Sequence, residues 1–358
     1  MKNCFGKNIS FTTSGGSHDE FIEGAMIGFP SGLKIDKEKL LKFMARRAPG
    51  NSDFATPRKE SDEPIFLSGV DENLVTDGNE IKIRIYSKNM RSKDYNCDIP
   101  RPSHADYCAI VKYGSGVDLR GGGHFSGRLT ALFCAFGGLC AQYLEKKEIS
   151  VFSHIYAIHT VKDTPFSLSD VGETEKNILK DSLFPVLDEG AGEKMKKVIA
   201  EAKADGDSVG GVIECAVTGL PTGLGEHMFS SAESRICEMI FAVPAVKGIE
   251  FGLGFDSTEI FGSQNNDPFY TDGETVKTRT NNCGGILGGM TNSMPVVFRT
   301  AIKPTPSIAR EQDSVSLSRL ENVKLSIVGR HDPCIVPRAA AAIEGATAIA
   351  ILDLMLDK

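Results

Sequence analysis

Apolar and polar residues alternate strictly along Ile81-Lys-Ile-Arg-Ile-Tyr86, the period of a half-buried strand. With Ile65–Val70 on the other side of the Asp77-Gly78 turn, the pattern predicts a strand pair. Further strands are expected on either side of Phe11–Glu20, over Val151–Thr160, after Gly206-Asp-Ser-Val-Gly-Gly-Val212, over Ile249–Phe255, over Pro295–Ile302 and over Val323–Val328. Helical spacing takes over elsewhere. Asp36 suits an N-cap, Leu40, Leu41 and Met44 share one face, and Pro49-Gly50 stops the turn. Leu129, Leu132, Phe133, Phe136 and Leu139 predict a broad-faced helix over Phe125–Leu144 that starts directly after three glycines. Helices are also expected over Glu193–Ala204, over Ser231–Ala242 and over Ala339–Leu356, the last apolar nearly all round and so buried. Residues 163–190 read as an irregular surface excursion. Mixed helices and strands with no clear linker and no fixed-period repeat predict one unit over residues 1–358.

Bulk composition narrows the function classes. A net charge of −7 argues against general binding to nucleic acid, which needs a basic surface. Nine cysteines without a C-x-x-C pair are not a disulfide framework and fit a reducing cytoplasm. The N-terminus lacks a signal-peptide core, and the uncharged run Leu129–Leu144 is too short to span a bilayer. His331-Asp-Pro-Cys334 has no second ligand pair at a usable spacing, so no metal is expected.

The chemically unusual residues gather in a few short segments. Arg101-Pro-Ser-His-Ala-Asp-Tyr107 and Arg120-Gly-Gly-Gly-His-Phe-Ser-Gly-Arg128 combine cations, two histidines and adjacent glycines. Arginine forks onto carboxylate or phosphate, and glycine lets the backbone approach a ligand closely, so the pattern predicts an anion site with His104 as a proton donor. His18 stands beside Ser17 on a loop between two strands. Arg46 and Arg47 end a helix, where the macrodipole alone would favour them, with Arg47 also a candidate for the ligand site. Lys303-Pro-Thr-Pro-Ser307 is a stiffened loop carrying a lysine and two hydroxyls, suited to gripping a phosphate. There is no Gly-Lys-Ser/Thr of a P-loop and no strand followed by GxGxxG.

Taken in order, these segments resemble the chorismate synthase family from near the first residue to the last. Gly16-Ser-His18 is similar to that family's Gly-Glu-Ser-His-Gly, Arg46–Gly50 to its arginine-rich Arg-Pro-Gly turn, and Arg101–Tyr107 to its Arg-Pro-Gly-His-Ala-Asp-Tyr. Asp207–Gly211, Leu224-Gly-Glu226, Ala245-Val-Lys-Gly248, Gly284–Gly289, Lys303–Ser307 and Gly329–Arg338 follow in the family's order.

The resemblance implies an α+β fold, a single-domain β-α-β sandwich, assembled as a homotetramer. It implies a lyase of aromatic amino-acid biosynthesis that removes phosphate from 5-enolpyruvylshikimate 3-phosphate by anti-1,4-elimination, with reduced FMN (FMNH2) as cofactor. In its terms His104 protonates the reduced flavin, His18 acts near the leaving phosphate, and Asp332 accepts a proton through the flavin N5. Ser17, Arg47, Arg101, Arg128 and Arg330 would bind the substrate. His124, Phe125, Ser126, Ala245, Gly288, Lys303, Pro304, Thr305, Pro306, Ser307 and Arg330 would hold the flavin.

Four departures stand out: His124-Phe125 where Arg-Ser is common, Asp53 for a frequent basic residue, Pro244 for a frequent Asn, and Gly-Gly-Ser-His-Asp in the first motif. Asp53 argues against NADPH binding, so an external flavin reductase is expected. The alternatives are a non-catalytic anion- or flavin-binding homologue and a flavin-dependent oxidoreductase.

Overall fold

A computed structural model describes residues 4–50, 62–87, 98–114, 116–327 and 332–357. Its frame is two five-stranded antiparallel sheets with helices between them. The first holds β1 (Cys4–Phe5), β2 (Ser10–Ser14), β3 (Phe21–Ile27), β4 (Ile65–Ser68) and β5 (Ile81–Tyr86) in the order β1-β2-β3-β5-β4. The second holds β6 (Ser150–Ile158), β7 (Val161–Lys162), β8 (Gly211–Thr218), β9 (Val246–Phe251) and β10 (Val296–Ile302) in the order β7-β6-β8-β10-β9.

Four helices fill the space between the sheets: α1 (Lys37–Arg47), α3 (Thr130–Glu145), α6 (Ala232–Phe241) and α7 (Val336–Met355). The others are α2 (Asp106–Tyr113), α4 (Glu173–Leu179) and α5 (Glu189–Ala204). α3 packs on the first sheet, where a Cβ on Gly24 of β3 would come within 2.7 Å of the Phe136 ring. α7 packs on the second sheet. The two helices cross so closely that a Cβ on Gly137 would lie 2.2 Å from the Gly345 Cα. α3 and α7 are buried almost all round, as their predominantly apolar sequences require. No described helix is long and apolar enough to cross a membrane.

One buried ion pair fixes the register of α1. The Arg46 guanidinium donates to both carboxylate oxygens of Glu344 in α7, at 2.7 and 2.6 Å, and Glu344 also accepts from the Ser153 N–H of β6 at 3.0 Å. With Arg46 pinned to Glu344, the next residue, Arg47, is turned about 100° around the helix axis from it and is also buried.

Several boundaries differ from the pattern-based expectation. Gly121, Gly122 and Gly123 all have positive φ, and Ser126 is extended, so the chain makes short 3-10 turns and α3 starts only at Thr130. The helix therefore does not spring directly from the glycines. α2 was not foreseen, because its exposed Tyr107, Val111 and Tyr113 blur the amphipathic period. The 163–190 excursion contains α4, and α5 starts four residues early because Asp188 caps it through the Gly190 N–H at 2.8 Å. β9 runs over Val246–Phe251 instead of Ile249–Phe255, and the strand expected over Val323–Val328 is Glu321–Leu325. α7 begins at Val336, with Pro337 in its first turn, where its missing N–H costs nothing. Val328, Gly329, Arg330, His331, Asp53 and residues 56–60 lie outside the described residues.

Candidate active site

A cavity of about 700 Å³ opens where several segment ends converge. Its wall takes Ser17 from the β2–β3 loop, Arg47 and Pro49 from the end of α1, and Arg101–Ala105 ahead of α2. The turns before α3 add Gly121 and His124–Arg128, the stretch after α6 adds Phe241–Lys247, and the loop after β10 adds Lys303 and Thr305–Ser307. Asp332, Arg338 and the first turns of α7 close it. Residues hundreds of positions apart thus meet because the central helices all end at this side of the sandwich.

Two of the cations share one carboxylate. Arg47 Nη1 donates to Asp62 Oδ2 at 2.6 Å, and Arg128 Nη1 makes a short contact to Asp62 Oδ1. Arg47 is also braced by Thr130 Oγ1 at 3.0 Å and the Gly127 carbonyl at 2.9 Å, and Arg128 by the Tyr86 carbonyl at 3.1 Å. Burial works to raise the Asp62 pKa, but the two guanidiniums outweigh it and hold the carboxyl below its ordinary range. Two buried guanidiniums thus converge on one carboxylate at the cavity wall.

A second pair of carboxylate-held groups faces the first. Asp106 Oδ2 accepts from the Arg101 N–H at 3.0 Å and its Nε at 2.7 Å, while Oδ1 accepts from Arg101 Nη2 at 2.8 Å. The same Oδ1 lies 2.6 Å from His104 Nδ1. Burial pushes the Asp106 pKa up, yet hydrogen bonds from Arg101 and His104 hold it well below the usual carboxylate range. Arg101 reaches Ser307 Oγ at 3.5 Å, and Lys303 Nζ donates to the Ser103 carbonyl, so the phosphate-type loop is tied to this segment. Burial, and then the neighbouring Lys247 charge, lowers the Lys303 pKa. Asp332 Oδ2 accepts from Arg338 Nη1 at 2.6 Å, and Arg338 Nε donates to the Arg47 carbonyl at 2.9 Å.

The glycine run works by close approach. A Cβ on Gly121 would come within 2.5 Å of His18 Cε1, and one on Gly122 would lie 3.4 Å from His104 Nε2. Their φ values are +59° and +97°, so a side chain would be strained at both, and at Gly121 it would clash as well. Next to them the rings of His124 and Phe125 stand 4.1 Å apart, and Tyr113 meets each of them at 5.6 and 6.4 Å.

These walls fit a flat aromatic ring with a phosphate tail, as the resemblance implies for FMN. The His124–Phe125 ledge offers a stacking surface, and Lys247, Lys303 and Ser307 offer cations and a donor. Thr305 Oγ1, in the same loop, is buried without a hydrogen-bond partner in the protein. A buried hydroxyl of that kind calls for a ligand atom.

The cavity brings together most of the residues expected from sequence. Ser17, Arg47, Arg101, His104, His124, Phe125, Ser126, Arg128, Ala245, Lys303, Thr305, Pro306, Ser307 and Asp332 all line it. His18 does not: it is buried behind Gly121, beside the lining Ser17. Pro304 stays out of the wall although its neighbours form it. Gly288 is not among the lining residues either. Its turn touches the N-terminal end of α6, where the Ala232 N–H donates to the Gly289 carbonyl at 2.8 Å, whereas the cavity lies at the far end of that helix. Ten helical residues separate the two by about 15 Å. Arg330 falls outside the described residues. Sequence reasoning missed Asp62, Asp106, Lys247 and Arg338. Asp106, Lys247 and Arg338 lie inside the family-like motifs, but nothing local marks Asp62 as the partner of arginines fifteen and sixty-six positions away.

Comparison with known proteins gives one answer at every level. The chorismate synthase family profile matches residues 9–356. The chain is 39% identical over 368 residues to a chorismate synthase of Lancefieldella parvula, covering 99% of this chain and 96% of that one. It is 42% identical over 353 residues to one from Thermococcus kodakarensis, covering 98% and 97%. A crystal structure of chorismate synthase superposes with a TM-score of 0.76 at 26% identity, covering 98% of this chain and 92% of that one. The chain belongs to the chorismate synthase family, carbon–oxygen lyases that use reduced FMN to eliminate phosphate from 5-enolpyruvylshikimate 3-phosphate and so form chorismate, the last step of the shikimate pathway.

Proposed function

We propose that the elimination takes place in the cavity between Arg101–Arg128, Lys303–Ser307 and the start of α7, with the roles divided as follows. The observation that carries the assignment is the convergence of Arg47, Arg101, Arg128, His104 and Asp332 on one hollow. The substrate brings a phosphate and two carboxylates to a chain of net charge −7, so it needs a locally cationic site. Arg47 and Arg128, joined through Asp62, and Arg101, steered by Asp106, supply that site, and Arg330 is assigned to it from sequence. Held away from water, these guanidiniums stabilise the charge that builds on the departing phosphate.

The residues assigned to the flavin are His124, Phe125 and Ser126 on one side and Ala245, Lys303, Thr305, Pro306 and Ser307 on the other. Reduced FMN, when bound, supplies electron density to the allylic system as phosphate leaves and recovers it as the ring hydrogen is lost. His104 carries a proton at the wall of the cavity, and Asp332, which accepts from Arg338 Nη1 at 2.6 Å, is the carboxylate that receives one. His18 acts on the leaving phosphate from behind Ser17, reaching it only if the Gly121 turn shifts. The chain works as a single unit in the cytoplasm, as a homotetramer supplied with reduced flavin by an external reductase. It binds neither nucleic acid nor membrane.

An anaerobic assay with chemically reduced FMN and 5-enolpyruvylshikimate 3-phosphate tests this assignment. Phosphate and chorismate are expected in equal amounts with no net loss of reduced flavin, and His104→Ala is expected to lower kcat by about 100-fold or more. Stoichiometric flavin oxidation would mark net redox chemistry, and an unchanged His104→Ala rate would remove His104 from the mechanism.

A further inference from the structure

The contacts of one carboxylate, Asp106, reach further than an ion pair requires. It accepts three hydrogen bonds from Arg101 and faces His104 Nδ1 at 2.6 Å, while Arg101 Nη2 approaches the same Nδ1 at 3.1 Å. Two tautomers of the ring are open in principle. With Nδ1 bare, its lone pair would accept from Arg101 but would face a carboxylate oxygen at hydrogen-bond distance, two acceptors with no proton between them. With Nδ1 protonated, the N–H donates to Asp106, and the Arg101 contact is simply a near approach of two donors to one anion. Asp106 is kept ionised by its donors, so the second arrangement wins. The ring atom left over is Nε2, lodged against Gly122, where a Cβ would come within 3.4 Å.

We propose that Asp106 is a positioning residue for the elimination: it holds His104 as the Nδ1–H tautomer with Nε2 presented at the glycine turn, and holds Arg101 in the same grip. The proposal rests on the assignment of His104 above. It assigns to one carboxylate the alignment of the proton carrier and an anion-binding arginine, so that neither has to be ordered when ligand arrives.

Nitrogen-15 NMR of the histidine-labelled protein at alkaline pH, with the His104 signals assigned by their disappearance in His104→Ala, reads the tautomer directly. The expected result is a proton on Nδ1 and a bare Nε2; a proton on Nε2 overturns the proposal, whatever the activity. Kinetics give the second reading under the anaerobic assay. Asp106→Asn is expected to lower kcat by about 10- to 100-fold, with partial recovery in Asp106→Glu. In a His104→Ala background the same substitution is expected to lower kcat clearly less than in the unaltered protein, because the part that runs through the imidazole is already gone and only the Arg101 part remains. Full multiplicative loss in the double variant overturns the proposal. If His104→Ala retains full rate, the role of His104 fails while the tautomer still decides whether Asp106 sets the ring. If Asp106→Asn does not fold, the tautomer of the unaltered protein decides alone.

Discussion

Asp62 carries more than its share at the residue scale. It sits between Arg47 and Arg128, all three buried, and both guanidiniums contact it. Replacing it by asparagine removes the anion that the two buried cations share, a loss expected to cost about 3–5 kcal/mol of stability. Thermal unfolding should therefore show a lower midpoint for Asp62→Asn, and added inorganic phosphate should raise it more than in the unaltered protein. An unchanged midpoint would contradict the reading of Asp62 as a counter-ion. Residue-scale legibility followed the same line. Arg101, His104, Arg128 and Lys303 announce themselves by type and neighbours. Asp62 is an ordinary acid in sequence, and only the fold sets it between two arginines.

Among the elements, the second sheet contains a charge network unconnected with the cavity. His154 of β6, fully buried, lies 2.9 Å from Asp163 and 2.9 Å from Glu214 of β8, and Glu214 in turn accepts from Arg299 of β10 at 2.7 Å. Burial alone would lower the His154 pKa, but the two carboxylates outweigh it and raise it. Raised in the folded state, this group contributes stability that is full below about pH 6.5, the unfolded value, and is lost as pH rises through the folded value. Asp163 and Glu214 are shifted the other way, down, against the opposing pull of burial, so their contribution holds above about pH 4–4.5 and fades on acidification below it. The melting temperature should accordingly fall on the alkaline side, and His154→Gln should flatten that limb while lowering stability near pH 6. A His154→Gln protein with the same alkaline slope would contradict the network. Element types came through from sequence, including the capped start of α1 and the buried α7. The start of α3 did not, because three consecutive positive-φ glycines end a helical pattern without altering its apolar period. Strand partners were equally hidden, since the alternation in β5 does not say that β3 lies beside it.

For the whole molecule, the sandwich explains why a chain of net charge −7 can present a cationic hollow. Arg47, Arg101, Arg128 and Lys303, far apart in sequence, meet at one cavity where the central helices end. Capture of a triply anionic substrate should then depend on ionic strength. Raising it from about 0.01 to 0.5 M is expected to lower kcat/KM several-fold with little effect on kcat. Steady-state kinetics insensitive to salt would place the binding energy elsewhere. The family was legible from motif order, which survives divergence of the intervening chain, whereas the layered arrangement of two sheets around α3 and α7 depended on contacts far apart in sequence.

The most direct measurement is a crystal structure of this protein with oxidised FMN and 5-enolpyruvylshikimate 3-phosphate. The flavin ring is expected against His124 and Phe125 with its phosphate near Lys303–Ser307, and the substrate among Arg47, Arg101 and Arg128, between His104 and Asp332. Both ligands bound on another face, with this cavity empty, would contradict the account.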